Sequence, residues 1–431
     1  MASLGKRQFT GMELAKRTVL IIAAALSLVL GYRFLGELSR QGGIGNYLEA
    51  RERASELKKA LEFINAYHVD GDASEIGVLT VSAMEGMISR LDPYSEYLDF
   101  ERLKRLDEET SQEFGGIGVQ VEMRDEFVTV VAPLEGTPGE RAGLLRGDRI
   151  VEVDGESLEG LGFTECVAKL KGRPGTEVAI SVVREANPDR LKLEIIRELI
   201  EVDNVHGAEI FNNGIGYLRI SQFGKRTGEE LSEAVESLLD KGMQALVIDL
   251  RNNPGGLLDA AVEVVSQFLP HGELIVSTKG RHASMSEEWR AVNRGQYHEF
   301  PLAVLINPGS ASASEIVAGA LKDSSRAKLV GDKTFGKGSV QSILPLGSDT
   351  GLKLTTAKYY TPGGYVIHER GVEPDIVVEI SPQEEANLII QRSRLKTMPT
   401  EEFVEQFEFE PIEDKQLNKA VVLLEAIVAQ S

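Results

Sequence analysis

Ala-Leu-Val-Ile-Asp-Leu-Arg-Asn-Asn-Pro-Gly-Gly, at residues 245–256, has the pattern of a buried strand that runs into a tight loop. Residues 257–269 follow with apolar side chains at helical spacing, so a helix is expected after the loop. A second unit of this kind has a strand at 302–306, a loop at 307–310 and a helix beyond it. Apolar strands that feed helices predict an α/β core with largely parallel pairing.

The composition changes on both sides of this core. Apolar residues alternate at Ile117, Val119 and Val121, which is typical of β strands, whereas both ends of the chain are charged and helical in spacing. The tail carries apolar residues that we expect to pack on a partner element, namely Leu417, Val421, Val422 and Leu424. We predict five segments: 1–36, a membrane anchor or signal; 37–112, helical and linking; 113–198, β-rich; 199–380, the α/β core; and 381–431, helical.

The N-terminus predicts export. Lys6, Arg7, Lys16 and Arg17 precede an apolar run at 18–32, and basic residues stay on the cytoplasmic side of a membrane. The run is short for a spanning helix and suits a signal-peptide core. No small-x-small cleavage site follows it, so we favour an uncleaved anchor over a cleaved signal. Either arrangement places the body of the chain on the extracytoplasmic (periplasmic) side, next to the inner membrane.

Residues 310–315, Ser-Ala-Ser-Ala-Ser-Glu, open the second predicted helix. One interpretation is structural, because Ser312 and Glu315 have the spacing of a capping box. The other is chemical, because the free amides and partial positive charge of a helix N-terminus stabilise an oxyanion beside a nucleophilic serine. The residues alone leave both interpretations open.

A nucleophilic serine needs a base, and the chain has no Gly-x-Ser-x-Gly motif and no histidine triad signature. Lys337, between Gly336 and Gly338, can serve if it is neutral; a solvated loop lysine is the alternative. Bringing a lysine pKa from about 10.4 to near neutrality costs on the order of 4–5 kcal/mol, so the amine must be desolvated. Phe335 is expected to supply apolar surface. Gln341 would share a strand face with Lys337, although contact between them requires a bend.

Several function classes are excluded. The formal net charge of −20 repels polyanions, so no nucleic-acid partner is expected. Residues 331–337 match most of a P-loop, but Gly338 stands where Ser or Thr is required, and a strand rather than a helix is predicted next. Cys166 is the one cysteine, which excludes an intramolecular disulfide and a cysteine-based metal cluster. We predict no cofactor and no metal.

The chain resembles the carboxyl-terminal processing peptidases, also called tail-specific proteases. The resemblance rests on motifs that occur in the family's order, at 91–97, 249–256, 307–316 and 334–341, and on closing segments at 361–364 and 371–375. It implies a crotonase-like α/β protease core with an inserted PDZ domain at 113–198 and helical segments at both ends. It also implies a serine endopeptidase that uses a Ser–Lys pair.

By this resemblance, Ser312 is the nucleophile, Lys337 is the general base and Gln341 orients Lys337. The oxyanion donors would be the backbone amides of Ala313 and of Gly256. Ser310 and Ser314, which flank the nucleophile, would be structural. Two alternatives are an adaptor whose protease core is dormant, which the presence of the catalytic residues argues against, and a crotonase-like acyl-transfer enzyme, which the PDZ-like insert argues against.

The resemblance also implies how substrates bind. A C-terminal carboxylate would bind a nest of backbone amides, and the tail would add as a strand beside residues 117–121, which favours apolar, unstructured tails. Lys171 and Arg173 are candidates for sensing the peptide. Residues 44–90 and 381–431 are candidates for forming a homodimer, and no activator or adaptor can be identified. The predicted tail-binding residues are Gly115, Gly116, Ile117, Gly118 and Val119.

Overall fold

The computed structural model describes residues 43–111, 113–124, 126–134, 136–184, 187–211, 213–292, 296–297, 299–347, 349–395 and 398–430. The candidate anchor at 1–36 lies outside them. Over the described ranges, no helix combines the length and apolar character needed to cross a membrane. The chain forms two compact units, 1–91 and 92–431, and the division falls inside the predicted 37–112 segment.

The first unit is helical where it is described. Helix α1 spans Gly43–Tyr67, a 3₁₀ turn spans Asp72–Ser74 and helix α2 spans Ile76–Ile88. Asn65 Nδ2 donates to the Ser74 carbonyl at 3.0 Å and so ties the end of α1 to the turn. Phe63 on α1 is exposed, as is Ile64 beside it.

The second unit contains the remaining elements. Its helices are α3 (Phe100–Ser111), α4 (Pro138–Arg141), α5 (Phe163–Leu170), α6 (Thr227–Asp240), α7 (Leu258–Ser266), α8 (Ala313–Asp323), α9 (Pro382–Arg394), α10 (Thr400–Phe407) and α11 (Lys415–Val428). Its first strands are β1 (Glu96–Leu98), β2 (Glu113–Gly116), β3 (Val119–Arg124), β4 (Phe127–Pro133), β5 (Arg149–Val153), β6 (Glu156–Ser157), β7 (Glu177–Arg184), β8 (Asn187–Ile196) and β9 (Glu198–Glu201). The later strands are β10 (Val205–Ile210), β11 (Ile215–Ile220), β12 (Ala245–Asp249), β13 (Leu274–Gly280), β14 (Glu288–Arg290), β15 (Leu302–Ile306), β16 (Ala327–Gly331), β17 (Ser339–Pro345), β18 (Gly351–Tyr360) and β19 (Ile376–Val377).

A six-stranded sheet forms the centre of this unit, in the order β10-β11-β12-β15-β16-β19. All its pairings are parallel except β10 with β11. Every residue of β12 and β15 is buried, because the sheet is covered on both faces, and this explains their uninterrupted apolar sequences. Along β12, Leu246 and Ile248 face one core while Ala245 and Val247 face the other. The predicted mixed α/β class is confirmed.

The two faces of this sheet are covered by different helices. Helices α6, α7 and α8 contribute to the larger core, and α11 packs on the opposite face through Ala420 and Leu424. Leu417 and Val421 pack there as expected, in partly buried positions. The prediction was wrong for Val422, which is exposed, because the outer face of α11 meets solvent.

A second, antiparallel sheet has the order β1-β18-β13-β14, and β17 also pairs with β18. Strand β1 pairs with β18 so that Glu96 lies opposite Lys353 and Tyr97 opposite Leu352. The long strand β18 therefore joins residues near 96 to β17, the strand that begins two residues after Lys337.

The β-rich module is built from β3-β4-β5-β7-β8 with β6 beside β5, and from the pair β2-β9. Its own core includes Ile117, Val128, Ile150 and Val178. Cys166 is also buried in this core, and burial raises the pKa of its thiol, so it is a core side chain rather than a reactive one. The module thus has a core separate from those of the central sheet.

Candidate active site

Ser312 immediately precedes α8 and has φ +55°, an unusual backbone conformation for a residue with a side chain. Its side chain makes no capping hydrogen bond, since Glu315 N–H donates to the Ser312 carbonyl instead. The reciprocal half of the capping box is formed, because Ser312 N–H donates to Glu315 Oε2 at 2.9 Å. The Ser312 hydroxyl is therefore left available for chemistry.

Glu315 joins the serine to the lysine segment. Its carboxylate is fully buried, and Oε2 accepts both Ser312 N–H at 2.9 Å and Lys337 N–H at 2.8 Å. The backbone nitrogens of Ser312 and Lys337 are therefore no farther apart than the sum of their two distances to Glu315 Oε2. Oε1 accepts the Thr334 hydroxyl at 2.6 Å and Gly336 N–H at 2.7 Å. Burial raises the pKa of Glu315, although these four donors oppose the rise by stabilising the carboxylate.

The glycines that flank Lys337 are required by close packing. A side chain at position 338 would place its Cβ 2.1 Å from His368 N, and Gly336 has φ +95°. Phe335 does not supply the apolar surface predicted for it, because it points outward and is 59% exposed. An aromatic ring from elsewhere in the chain takes that place: the Lys337 Nζ atom lies 5.2 Å from the centre of the Tyr94 ring.

The electrostatic surroundings of Lys337 favour a neutral amine. Burial lowers its pKa, the positive charge of Lys353 lowers it further, and Glu315 acts in the opposite direction. The net shift is downward, as a lysine base requires. In the described part of the chain, no hydrogen bond joins Lys337 Nζ to the Ser312 hydroxyl.

Gln341 lies in β17 where the pairing with β18 changes register, between Val340 and Gln341. Its Nε2 donates to the Ser339 hydroxyl at 2.9 Å and approaches the Thr355 hydroxyl at 3.4 Å. Within the ranges the structure describes, no hydrogen bond connects Gln341 to Lys337. The orienting role of Gln341 stays a prediction.

Two backbone amides near Ser312 are suited to bind an oxyanion. Gly255, with φ +105°, packs so closely that a Cβ there would lie 2.8 Å from Ser312 Cβ and 3.0 Å from Ala313 N. The Gly255 amide is used, since it donates to Asn253 Oδ1 at 2.9 Å. The amides of Gly256 and Ala313 have no acceptor among the described residues, so both can donate to a substrate.

Side-chain hydrogen bonds hold the two loops together. Ser310 donates to the Leu250 carbonyl and Ser314 to the Asn253 carbonyl, at 2.8 and 2.9 Å. Both loops follow parallel, adjacent strands, so they emerge at the same edge of the sheet. The two serines that flank Ser312 thus donate their hydroxyls to backbone carbonyls, and these bonds hold the loop after β12 against the start of α8.

Arg251 fixes the base of the first loop. Arg251 is 1% exposed, and its guanidinium donates to Asp249, Asp414 and Gln416. Asp249 also accepts Arg392 Nη1 at 3.1 Å. Burial alone would raise the pKa of Asp249, but these positive charges outweigh it and lower the pKa to about 2. The C-terminal helices α9 and α11 are thereby connected to the loop that carries Gly256.

A small groove in the β-rich module is lined by four of the five residues predicted to bind a substrate tail. A cavity of about 70 Å³ lies between the residues that begin β3 and the end of α5. The amides of Ile117 and Gly118 have no acceptor in the described chain, and Gly118 has φ +69°. Adjacent free amides of this kind bind carboxylates. The lining consists of Gly116, Ile117, Gly118, Val119, Val121, Val167, Leu170 and Lys171.

Not all of the predicted tail-binding residues line this cavity. Gly115 does not line it, and a Cβ at this position would be 1.9 Å from the Gly172 carbonyl oxygen. Of the two candidate sensors, Lys171 lines the cavity and Arg173 does not. Gly115 thus permits close packing of its backbone against Gly172.

Two contributors to the site are not apparent from the sequence. The spacing of Ser312 and Glu315 was visible, but it indicated only a helix cap, not a carboxylate that also binds the Lys337 segment. Tyr94 lies within the motif at 91–97, yet nothing local in that motif indicates contact with a lysine so distant in the sequence.

Comparison with known proteins identifies the family. Residues 214–378 match the model of Peptidase family S41, and residues 129–184 match that of the PDZ domain. The chain is 44% identical over 305 residues to the carboxy-terminal-processing protease of Bartonella bacilliformis, which is 70% of each chain. It is 36% identical over 368 residues to the carboxy-terminal processing protease CtpA of Bacillus subtilis, covering 84% of this chain and 75% of that one.

Among solved structures, the photosystem II D1 C-terminal processing protease aligns with a TM-score of 0.43 and 29% identity, covering 74% of this chain and 92% of that one. The family models and the two sequence relatives decide the assignment. They show that this chain belongs to peptidase family S41 and is a serine-type, carboxy-terminal processing protease with a PDZ domain.

Proposed function

We propose that this protease cleaves peptide bonds with Ser312 as the nucleophile and Lys337 as the general base. The observation that carries the proposal is the buried Glu315 carboxylate, one oxygen of which accepts the backbone amides of both residues. A single buried acceptor shared by two segments fixes their backbones side by side. The lowered pKa of Lys337 supports its role, because a base must be unprotonated.

The proposed reaction begins when neutral Lys337 takes the hydroxyl proton of Ser312 as that oxygen attacks the scissile carbonyl carbon. The negative charge on the carbonyl oxygen is stabilised by the amides of Gly256 and Ala313. The Lys337 ammonium then gives its proton to the leaving amine, and the C–N bond breaks. Water completes hydrolysis of the acyl-enzyme with Lys337 again as base. Gln341 is proposed to orient the amine during these steps.

We also propose that substrates are selected by apolar, unstructured C-terminal tails. The free amides of Ile117 and Gly118 would bind the terminal carboxylate, and the cavity beside them would take the last side chain. Lys171, at this cavity, is the better placed of the two candidate sensors. Gly115, Gly116 and Val119 would shape the backbone of the groove.

Location, assembly and core topology are proposals of the same kind. The basic flank and apolar run within residues 1–36 support export and anchoring in the cytoplasmic membrane. Exposed apolar side chains on α1, such as Phe63, support residues 44–90 as a dimer contact. Residues 381–431 are the second dimer candidate. The two successive strand–loop–helix units, with oxyanion amides at their loops, support a crotonase-like core.

The test is cleavage of a disordered reporter that ends in an apolar tail. Ser312→Ala and Lys337→Ala should each lower kcat/KM by at least about a thousandfold, while binding of a tail peptide is retained. Lys333→Ala removes an exposed lysine from the same segment and should cleave normally. Activity within tenfold of wild type in either catalytic variant would refute the Ser–Lys assignment.

A further inference from the structure

The Tyr94 ring lies against the amine that is proposed to be the catalytic base. Lys337 Nζ is 5.2 Å from the ring centre, and no described carbonyl or carboxylate accepts a hydrogen bond from it. Tyr94 belongs to the segment between residue 92 and β1, far from Lys337 in sequence. The structure therefore shows the ring in contact with this amine.

Tyr94 is held by a tight turn. The Asp92 carboxylate accepts Tyr94 N–H, Ser95 N–H and the Ser95 hydroxyl, each at 2.8 Å. Thr355 N–H, on β18, donates to the Ser95 hydroxyl oxygen at 3.1 Å and anchors the turn to the second sheet. Burial alone would raise the pKa of Asp92, but the hydrogen bonds outweigh it and lower the pKa, so the turn keeps its anion at neutral pH.

An aromatic face attracts an ammonium and not a neutral amine, because the attraction arises between a positive charge and the ring quadrupole. Two charged groups also influence Lys337: Lys353 favours the neutral amine, as burial does, and Glu315 favours the ammonium. The ring therefore favours the protonated form of Lys337, as Glu315 does.

We propose that Tyr94 is a positioning residue for the base: its ring holds the protonated amine of Lys337 away from the Ser312 hydroxyl until the amine loses its proton. This inference rests on the proposed role of Lys337. The ammonium releases its proton to solvent, the neutral amine loses its attraction to the ring, and it then accepts the Ser312 proton.

The decisive measurement is kcat/KM against pH on the disordered reporter. Tyr94→Leu removes the ring, so the ammonium loses stabilisation and the rising limb should move to lower pH by roughly 0.5–1 unit. Tyr94→Phe keeps the ring face and should leave the limb where it is in wild type. Tyr360→Leu removes a ring from Lys279, 4.5 Å away and outside the proposed site, and should also leave it unchanged.

Thermal melting identifies a variant that fails to fold. If Tyr94→Leu is such a variant, pentafluorophenylalanine is placed at position 94 instead, because it keeps the ring shape but reverses the ring quadrupole. The rising limb of kcat/KM should then lie at lower pH than in Tyr94→Phe. The Tyr94 proposal is overturned if the rising limb of the folded test variant, Tyr94→Leu or pentafluorophenylalanine at position 94, stays at the same pH as in Tyr94→Phe or moves to higher pH. Failure of the Ser–Lys assignment appears separately, as activity in Lys337→Ala.

Discussion

Lys353, on β18, places a positive charge near the Lys337 amine and lowers its pKa. Lys353→Gln should therefore raise the pKa of Lys337, because the ammonium loses a repulsive neighbour. A higher pKa moves the rising limb of kcat/KM to higher pH, opposite to the direction expected for Tyr94→Leu. We expect a shift of roughly 0.5 unit or less, since solvent screens the charge, and a larger one at low ionic strength.

Lys358→Gln is the matched control, because Lys358 is on the same strand, is exposed and has no resolved influence on Lys337. The control should keep the wild-type profile. A limb that moves to lower pH in Lys353→Gln would contradict the electrostatic description of the base.

At this scale the sequence indicates some residues and hides others. Ser312 and Lys337 are identifiable because each stands in a local pattern: a serine-rich helix start and a lysine between glycines. Tyr94 is not, because its contact with Lys337 depends on β1 and β18 pairing across most of the chain. The expectation for Phe335 failed for the same reason: proximity in sequence does not determine which ring reaches the amine.

The junction between α8 and the segment at 334–338 depends on one carboxylate. Glu315→Gln keeps the side-chain shape but replaces one acceptor oxygen with a donor, so two of the four donors now facing Glu315 lose their acceptor. We expect a loss of about 2–4 kcal/mol in the free energy of unfolding. We also expect a lower kcat with little change in KM, because the proposed base would be displaced from the proposed nucleophile while the proposed binding of substrate tails would be unaffected.

Glu384 provides the control, since it completes an exposed capping box with Ser381 at the start of α9. Glu384→Gln should lower the free energy of unfolding, measured in urea, much less than Glu315→Gln does, and it should leave kcat unchanged. If the two variants lose equal amounts of unfolding free energy and of kcat, Glu315 is only a helix cap.

The strands and helices themselves are largely predictable. The apolar runs at 245–250 and 302–306 are continuous because both faces of the sheet are covered, and such runs are recognisable without coordinates. The junction is not predictable, because the Ser–x–x–Glu spacing looks the same at residue 312 as at residue 381. The two differ only in that Glu315 is buried and also accepts hydrogen bonds from residues 334–337.

Across the whole molecule, the buried Arg251 connects the active-site loop to the C-terminal helices. It donates to Asp249 at the end of β12 and to Asp414 and Gln416 at the start of α11. Sequence patterns predicted helices in the C-terminal segment but not their attachment, because the hydrogen bonds of Arg251 to Asp414 and Gln416 join residues more than 160 positions apart. The C-terminal segment of the chain, residues 381–431, thereby supports the loop that carries Gly256.

The acid stability of the molecule should depend on this network. The pKa of Asp249 is about 2 in the folded chain, below about 3.9 for an unfolded aspartate. Its contribution to stability is therefore present above pH 4 and is lost as the pH falls from about 4 through 2. From the size of the shift, this contribution is about 2–3 kcal/mol.

Asp249→Asn removes this carboxylate and leaves Arg251 and Arg392 without it, so we expect a loss of about 3–5 kcal/mol at pH 7. The variant should also lose less additional stability than wild type between pH 4 and pH 2, because the titrating group is gone. Urea unfolding at pH 7, 4 and 2 measures both effects, with Asp240→Asn, at an exposed helix end, as the control. If Asp249→Asn unfolds at the same urea concentration as wild type at pH 7, the network does not connect the tail to the core as the structure indicates.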